Sequence, residues 1–270
     1  MFHKSAIALT LAAAFIATPA FAAPIHDATS FTANTLARND DSSTGSVAMG
    51  FGINFFGQNF SNLYVNNNGN VTFNQTLSTF TPFSLLSTSV PMLAPLFSDV
   101  DTRNSASGVV QYGQSSLGGH NVFGVNWINV GYYNQQADKT NSFQLIITER
   151  ADTGAGNFDF QYNYDSIRWE TGSASNGVNG FGGSSARAGW SNGSTHSYEF
   201  AGSAVNGALL NSGSQALINH SLNSNIAGQY NFEVRNGVVL PPVPEPETYA
   251  MLLAGLGLMG AIARRRKNIS

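Results

Sequence analysis

Hydrophobic and polar residues alternate with a period of two along several stretches of the chain, which predicts half-buried β-strands. The clearest stretch is 158–164, where Phe158, Phe160, Tyr162 and Tyr164 alternate with polar residues. The same alternation occurs at 143–147 and 230–234, whereas 121–130 carries apolar residues on both faces and suits a central strand. Shorter strands are predicted at 52–56, 63–65, 71–73, 109–112 and 196–200.

Helical periodicity is almost missing between these strands, and Gly- and Asn-containing turns separate them. One short helix is predicted at 212–222. Many strands joined by short turns predict an all-β domain, either an antiparallel β-sandwich or a barrel-like fold. A signal-peptide helix before it and a single membrane helix after it are expected to flank this domain.

The first of these flanking segments has the pattern of a secretory signal peptide. Lys4 provides a positive charge, residues 7–17 are apolar, and Ala20 and Ala22 form an A-x-A cleavage site. Residues 1–22 are therefore predicted to be removed on export, and an ordinary structural helix is the alternative.

The other end carries an apolar run at 249–263, followed by Arg264, Arg265, Arg266 and Lys267. These 15 residues would form a helix of about 22 Å, against a hydrocarbon core of about 30 Å, so the span is marginal. The four cations are expected to stay cytoplasmic and to stop transfer there, which places the body of the protein outside. The alternative interpretation is an ordinary permanent C-terminal membrane anchor.

Composition restricts what the body can do. We divide the chain into a signal peptide (1–22), a lead-in segment (23–50), a β domain (51–236), a Pro-rich stalk (237–247) and a membrane helix with a basic tail (248–270). Five of the 12 basic and two of the 15 acidic residues lie in the terminal segments, which leaves 7 basic and 13 acidic residues in the body. This acidic surface argues against a nucleic-acid partner. The absence of cysteine excludes thiolate catalysis and Cys-based zinc sites.

The C-terminal pattern resembles a known sorting signal. Pro244, Glu245 and Pro246, the apolar run and the basic cluster together resemble the PEP-CTERM signal of Gram-negative bacteria. The resemblance implies an exported protein held transiently at the inner membrane until an exosortase, a membrane cysteine transpeptidase, cleaves near the motif. An exosortase-type processing enzyme is thus an expected partner, and the cell surface or extracellular matrix the expected destination.

The body resembles the NIDO (nidogen-like extracellular) domain, with the best match over 51–200. The most specific block is 93–103, where Ala94, Pro95 and Phe97 lead into the sequence Asp99-Val100-Asp101-Thr102-Arg103. Further matches follow in order at Trp127 and Val130, at 141–144, at Asn163 and Tyr164, and at 188–190. The resemblance implies an all-β, non-enzymatic extracellular module associated with adhesion to matrix.

Asp99, Asp101 and Arg103 are two residues apart, so in an extended chain all three would point to one face. A carboxylate–guanidinium network that fixes a loop is the favoured interpretation. A calcium site at Asp99 and Asp101 is the alternative, and no other cofactor or metal is expected.

The expected function is therefore non-enzymatic: adhesion, or organisation of an exopolysaccharide (biofilm) matrix, with an extracellular polysaccharide or a matrix protein as partner. A calcium-stabilised structural envelope protein and a secreted polysaccharide-modifying hydrolase are the alternatives. For the hydrolase, His120, His196 and His220 are the available bases, and Asp159 and Asp165 are the carboxylates considered. Tyr132, Tyr133 and Trp169 are aromatic residues that could stack on sugar rings if exposed.

Overall fold

The structure is a computed structural model that describes residues 25–242 and Met259. The strands are β1 (Asn34–Thr35), β2 (Val47–Phe55), β3 (Gln58–Asn66), β4 (Asn70–Thr72), β5 (Pro91–Phe97), β6 (Val110–Leu117), β7 (His120–Tyr132), β8 (Gln136–Glu149), β9 (Phe158–Ser166), β10 (Arg187–Asn192), β11 (Ser197–Glu199), β12 (Gln229–Arg235) and β13 (Val238–Val239). Three single-turn 3₁₀-helices lie at Ala28–Phe31, Leu85–Ser87 and Ser173–Ser175. The prediction of an all-β domain is confirmed.

The strands form two antiparallel sheets. One sheet has seven strands in the order β1-β6-β7-β8-β9-β12-β13, and the other has six in the order β11-β10-β5-β4-β3-β2. Strand β2 packs across β6, β7 and β8, and β5 packs on β8, so the sheets lie face to face as a sandwich. Both outer strands of the seven-stranded sheet, β1 and β13, are only two residues long.

Alternation of side chains explains how β9 holds the sandwich together. Its four aromatic residues, Phe158, Phe160, Tyr162 and Tyr164, are fully buried between the sheets. The Tyr162 hydroxyl donates to the Gly189 carbonyl on β10 at 2.7 Å, and the Tyr164 hydroxyl donates to the Pro95 carbonyl on β5 at 2.6 Å. These tyrosines therefore combine apolar burial with polar ties between the two sheets.

The short helix predicted at 212–222 is wrong, because this segment consists of turns. The backbone N–H of Gln215 donates to the Ala208 carbonyl at 2.9 Å, and that of Leu217 donates to the Leu209 carbonyl at 3.3 Å. These bonds to an adjacent loop replace helical ones and bury Leu217 in the core. Tertiary contacts therefore override a weak helical pattern.

The predicted segment boundaries fall at different points of this architecture. Residue 51 lies inside β2, and the predicted stalk contains β13. The predicted signal-peptide helix (1–22) and most of the predicted membrane segment (248–270) lie outside the described residues. Among the described residues, none belongs to a helix with the length and apolar character needed to cross a bilayer.

Candidate functional site

Strand β5 delivers the most specific block of the sequence to one end of the sandwich. All seven residues of β5 are buried, including Ala94, Pro95 and Phe97. Pro95 lacks a backbone N–H, and the pairing of β10 with β5 shifts register opposite it, between Arg187 and Gly189. The irregular pairing explains how a central strand accommodates proline. The chain then leaves the sheet at Ser98 and enters the loop that carries the acidic residues.

Asp101 and Arg103 form a tight ion pair in this loop. The Asp101 side chain is 0% exposed and accepts from Arg103 Nε at 2.9 Å and from Arg103 Nη2 at 2.5 Å. The backbone N–H groups of Arg103 and Gln135 also donate to its carboxylate, at 2.9 and 2.8 Å. Burial alone would raise the pKa of Asp101, but the bonds from Arg103 and Gln135 outweigh it and lower the pKa.

Asp99 has a different environment from Asp101. Its side chain is buried, with 1% of the residue exposed, and neither carboxylate oxygen has a hydrogen-bond partner among the described residues. Burial, followed by the negative charges of Asp40, Asp41 and Asp101, raises the pKa of Asp99 to about 8. Arg103 forms no bond to Asp99 in the described structure, so its guanidinium fork satisfies one aspartate of the block, Asp101, and leaves Asp99 outside the pair.

Asp40 and Asp41 come to Asp99 from the lead-in segment. One carboxylate oxygen of each residue lies within 4.8 Å of those of the other two. Arg103 Nη2 contacts Asp40 Oδ2 at 3.0 Å, and Asn68 Nδ2 donates to Asp41 Oδ1 at 2.8 Å. Burial and the neighbouring carboxylates of Asp101 and Asp41 raise the pKa of Asp40 to about 6. Sequence analysis missed both residues, although two adjacent aspartates in a chain with so few charges were a usable signal.

The lead-in segment is fastened to this end by many bonds. Arg38 Nη1 donates to the carbonyls of Thr102, Asn104 and Ser107 at 2.7, 2.7 and 2.8 Å. The side-chain amide of Asn67 donates to the carbonyls of Asp40 and Val100, so it joins the lead-in to the loop after β5. The Asn67 carbonyl in turn accepts from the indole of buried Trp127 at 3.0 Å. These hydrogen bonds therefore hold the acidic residues in fixed positions.

A polar groove of about 220 Å³ opens beside the acidic loop. It is lined by Tyr132, Tyr133, Asn134, Gln136, Ser173, Asn179 and Gly180. Arg103 lies 5.9 Å from the centroid of the Tyr133 ring, and the Tyr133 N–H donates to the Asp99 carbonyl at 3.2 Å. We call these lining residues the Tyr133 groove. Its wall is thus continuous with the loop that holds Asp99 and Asp101.

The structure separates the three aromatic residues considered for sugar stacking. Trp169 is 0% exposed and Tyr132 is 3% exposed, and their rings pack together with centroids 5.4 Å apart. Tyr132 and Tyr133 both line the groove, but of the three residues only Tyr133 is half-buried. Trp169 and Tyr132 are therefore core residues.

The residues considered for hydrolysis occupy different local environments, except that His120 and Asp159 belong to one network. His196 stacks on Phe56 with ring centroids 4.7 Å apart, and His220 contacts the Ala216 carbonyl. Asp165 is exposed. His120 lies 3.8 Å from Asp152, and Arg150 contacts both Asp152 at 3.0 Å and Asp159 at 2.6 Å. Asp159 also forms a salt bridge of 2.6 Å with Arg235, so its carboxylate is paired with two arginines.

The remaining predicted site residues lie outside the described part of the chain. They are the cleavage-site residues Ala20 and Ala22, the motif residues Pro244, Glu245 and Pro246, and the basic residues Arg264, Arg265, Arg266 and Lys267. Their assignment stays a prediction from the sequence.

The domain is a two-layer antiparallel β-sandwich in which a buried strand ending in Ala-Pro-Leu-Phe runs into an acidic loop. The nidogen-like domain family (NIDO) matches residues 61–236, which is more than half of the chain. The chain therefore belongs to the NIDO family. The PEP-CTERM protein-sorting motif matches residues 242–267, so both resemblances drawn from the sequence are confirmed. Together they define an exported, surface-sorted protein.

Relatives in animals share the domain. Alpha-tectorin of Mus musculus is 29% identical over 222 residues, which cover 72% of this chain and 10% of that protein. Alpha-tectorin of Gallus gallus is 28% identical over 221 residues, with the same coverage of 72% and 10%. Nidogen of Drosophila melanogaster is 31% identical over 119 residues, or 35% of this chain and 9% of that protein. The chain spans about a tenth of the length of these relatives. No solved structure shows significant similarity to it.

Proposed function

We propose that this protein is a non-enzymatic adhesion protein of an extracellular polysaccharide (biofilm) matrix in a Gram-negative bacterium. The observation that carries the proposal is the order of the two matches. A nidogen-like domain ends at residue 236, and a sorting motif begins at residue 242. The NIDO family implies attachment to matrix, and the sorting motif provides delivery to the place where such a matrix forms.

Delivery would proceed in two steps. The signal peptide directs export, and the C-terminal segment then holds the protein at the inner membrane with its domain outside. An exosortase cleaves near Pro244, Glu245 and Pro246 and releases the domain to the surface or the matrix. The processing enzyme is thus a transient partner, and the matrix is the lasting one.

The Tyr133 groove is the best-supported contact surface on the domain. It offers a half-buried tyrosine ring beside the amide side chains of Asn134 and Gln136, which are exposed. An aromatic ring stacks on the apolar face of a sugar, and amides bond its hydroxyl groups directly or through water. One such contact is weak, but many copies held on one surface bind with high avidity. Adhesion therefore needs no deep pocket.

Sorting is tested by replacing Pro244, Glu245 and Pro246 with alanine in the native host and fractionating the cells. We expect the unprocessed protein to accumulate in the membrane fraction. The matched control replaces Pro241 instead, which lies in the Pro-rich segment just before the motif that begins at residue 242. Wild-type processing of the motif variant would refute the sorting step.

Adhesion is tested separately with Tyr133→Ser in the sorted protein. We expect surface levels to stay at the wild-type value while biofilm cohesion under shear falls. Tyr64→Ser is the matched control, because Tyr64 is also half-buried but lies on β3. Unchanged cohesion in a strain that lacks the protein altogether would refute the adhesive role.

A further inference from the structure

The acidic end of the domain holds more negative charge than its own residues balance. Asp40, Asp41, Asp99 and Asp101 lie together, and Arg103 is the cation that bridges them, through Asp40 and Asp101. The Arg103 guanidinium is committed to those two residues. Asp99 and Asp41 are left facing each other without a positive partner among the described residues.

Asp99 is the observation that points to a ligand. A carboxylate with 1% of its residue exposed and no hydrogen bond to either oxygen is costly to bury. Buried polar atoms in native proteins nearly always have a partner, so an unsatisfied pair needs an explanation. Its carboxylate is directed at Asp40 and Asp41, because an oxygen of each lies within 4.8 Å of one of its own.

Two further buried oxygens near this point also lack a partner. Asp40 Oδ1 has none among the described residues, although Asp40 Oδ2 contacts Arg103. Asn67 Oδ1 has none either, while its Nδ2 bonds the backbone on both sides of the cluster, at Asp40 and Val100. Asn67 is 1% exposed. Unsatisfied oxygens therefore come from three separate segments of the chain, and Asn67 Nδ2 bonds the backbone of the other two segments.

We propose that Asp40, Asp41 and Asp99 bind one calcium ion, with Asn67 Oδ1 as a neutral fourth ligand, and that this ion locks the lead-in segment onto the sandwich. Calcium is the divalent cation that fits, because all the donors are hard oxygen atoms and no His or Cys is among them. Calcium bonds its ligands at about 2.3–2.6 Å, so two ligands on opposite sides are about 4.6–5.2 Å apart. The three carboxylate oxygens lie within 4.8 Å of one another, which this coordination sphere accommodates. Water completes the six to eight ligands.

This site differs from the pair of ligands expected from the sequence. Asp101 is excluded from it, because four donor groups from Arg103 and Gln135 already occupy its carboxylate. Asp99 remains a proposed calcium ligand, and Asp40 and Asp41 take the place of Asp101. The ion would bridge residues 58 and 59 positions apart, which is why it would fasten the lead-in segment.

The first test measures calcium binding by the full chain in mild detergent, using isothermal titration with CaCl₂ after treatment with EGTA. We expect one ion per chain and a dissociation constant in the range of extracellular modules, about 10⁻⁴–10⁻³ M. Asp99→Asn should abolish binding, and Asp165→Asn, at an exposed aspartate on β9, should leave it unchanged. Equal binding of magnesium, or calcium binding retained by Asp99→Asn, would overturn the proposal.

The second test measures stability, and it distinguishes a lost ligand from a misfolded variant. Calcium at about 100 times its dissociation constant should raise the melting temperature of a domain of this size by about 5–10 °C. Without calcium, Asp99→Asn should melt above the wild type, because it removes a carboxyl group that must take up a proton when the domain folds at neutral pH. Calcium should not raise the melting temperature of this variant further. A wild type whose melting temperature is the same in EGTA and in calcium would overturn the proposal.

The third test reports on the lead-in segment itself. Arg38 is an exposed trypsin site two residues before Asp40, and calcium should slow cleavage there at least several-fold. Arg150 directly follows β8, 14 residues beyond the start of that strand next to the Tyr133 groove. At about 3.3 Å per residue it lies roughly 40 Å or more away, so it serves as the internal control. Equal protection of both sites, or of neither, would contradict a local lock.

Discussion

Loss of the Arg103 side chain should destabilise the domain far more than loss of an arginine in a surface network. Arg103→Met keeps the length of the side chain but removes the donors that compensate fully buried Asp101. Two backbone N–H groups would still bond that carboxylate. Breaking a buried ion pair costs about 3–5 kcal/mol. Asp101 is fully buried, but the Arg103 side chain is 38% exposed and two backbone bonds to Asp101 remain, so we expect about 2–4 kcal/mol. For a domain of this size the melting temperature should fall by about 5–15 °C.

Arg150→Met is the matched control. Arg150 also contacts two aspartates, Asp152 at 3.0 Å and Asp159 at 2.6 Å, but these side chains are 46% and 25% exposed. Exposed pairs contribute about 0–1 kcal/mol, so this variant should unfold close to the wild type. Urea unfolding monitored by tryptophan fluorescence, in metal-free buffer, measures both variants.

A double variant tests the cause of the loss. Adding Asp101→Asn to Arg103→Met removes the buried charge that the single variant leaves unpaired, so the double variant should recover part of the lost stability. If Arg103→Met lowers the free energy of unfolding no more than Arg150→Met, or if adding Asp101→Asn lowers it further, the buried pair does not stabilise the loop as argued.

Three further predictions concern the rest of the domain. Gly69→Ala should lower the free energy of unfolding by about 2 kcal/mol or more, because φ is +73° and a Cβ would lie 1.9 Å from a backbone oxygen. Gly45→Ala is the control, since a Cβ at Gly45 meets open space, and it should be near neutral. Urea unfolding measures both variants. Tyr164→Phe should cost about 1–2 kcal/mol, measured in the same way, because it leaves a buried carbonyl without its donor, and Tyr198→Phe should cost less than half as much. Without metal, stability should fall as pH rises from about 4 to 8, because the folded state keeps the Asp99 proton up to about pH 8 and the Asp40 proton up to about pH 6. Each group contributes at most about 1.4 kcal/mol per pH unit. Asp99→Asn should flatten the part of the profile between about pH 6 and 8 in unfolding measured across the pH range.

Local patterns explain which parts of the fold were predictable. The strict alternation at 158–164 and 230–234 gave β9 and β12, because one face of each strand is buried and the other is not. Strand ends were less accurate, since β7 and β8 continue to Tyr132 and Glu149 through residues that do not alternate. The prediction of a helix at 212–222 was wrong because the apolar residues of this segment are buried by turns that are bonded to a neighbouring loop.

The candidate site was only half visible in the sequence. Asp99, Asp101 and Arg103 stand out in one short block, but their division into a paired and an unpaired carboxylate depends on partners elsewhere in the chain. Asp40 arrives from the lead-in segment, and Gln135 arrives from the turn between β7 and β8. No local periodicity encodes such long-range convergence. The sequence also did not determine whether Trp169 is exposed or buried, because a single aromatic residue in a loop fits either the surface or the core.

The brevity of the outer strands determines how copies of this domain meet when they are crowded. An exposed strand edge recruits foreign strands, and natural sheets avoid this with short or bent edges. Here β1 and β13 offer two residues each, β11 offers three, and β2 changes register between Ala48 and Ile53. Neighbouring molecules therefore find few unpaired backbone N–H and C=O groups with which to extend either sheet. Crowded copies of the domain are thus expected to touch through side chains and not to form fibrils.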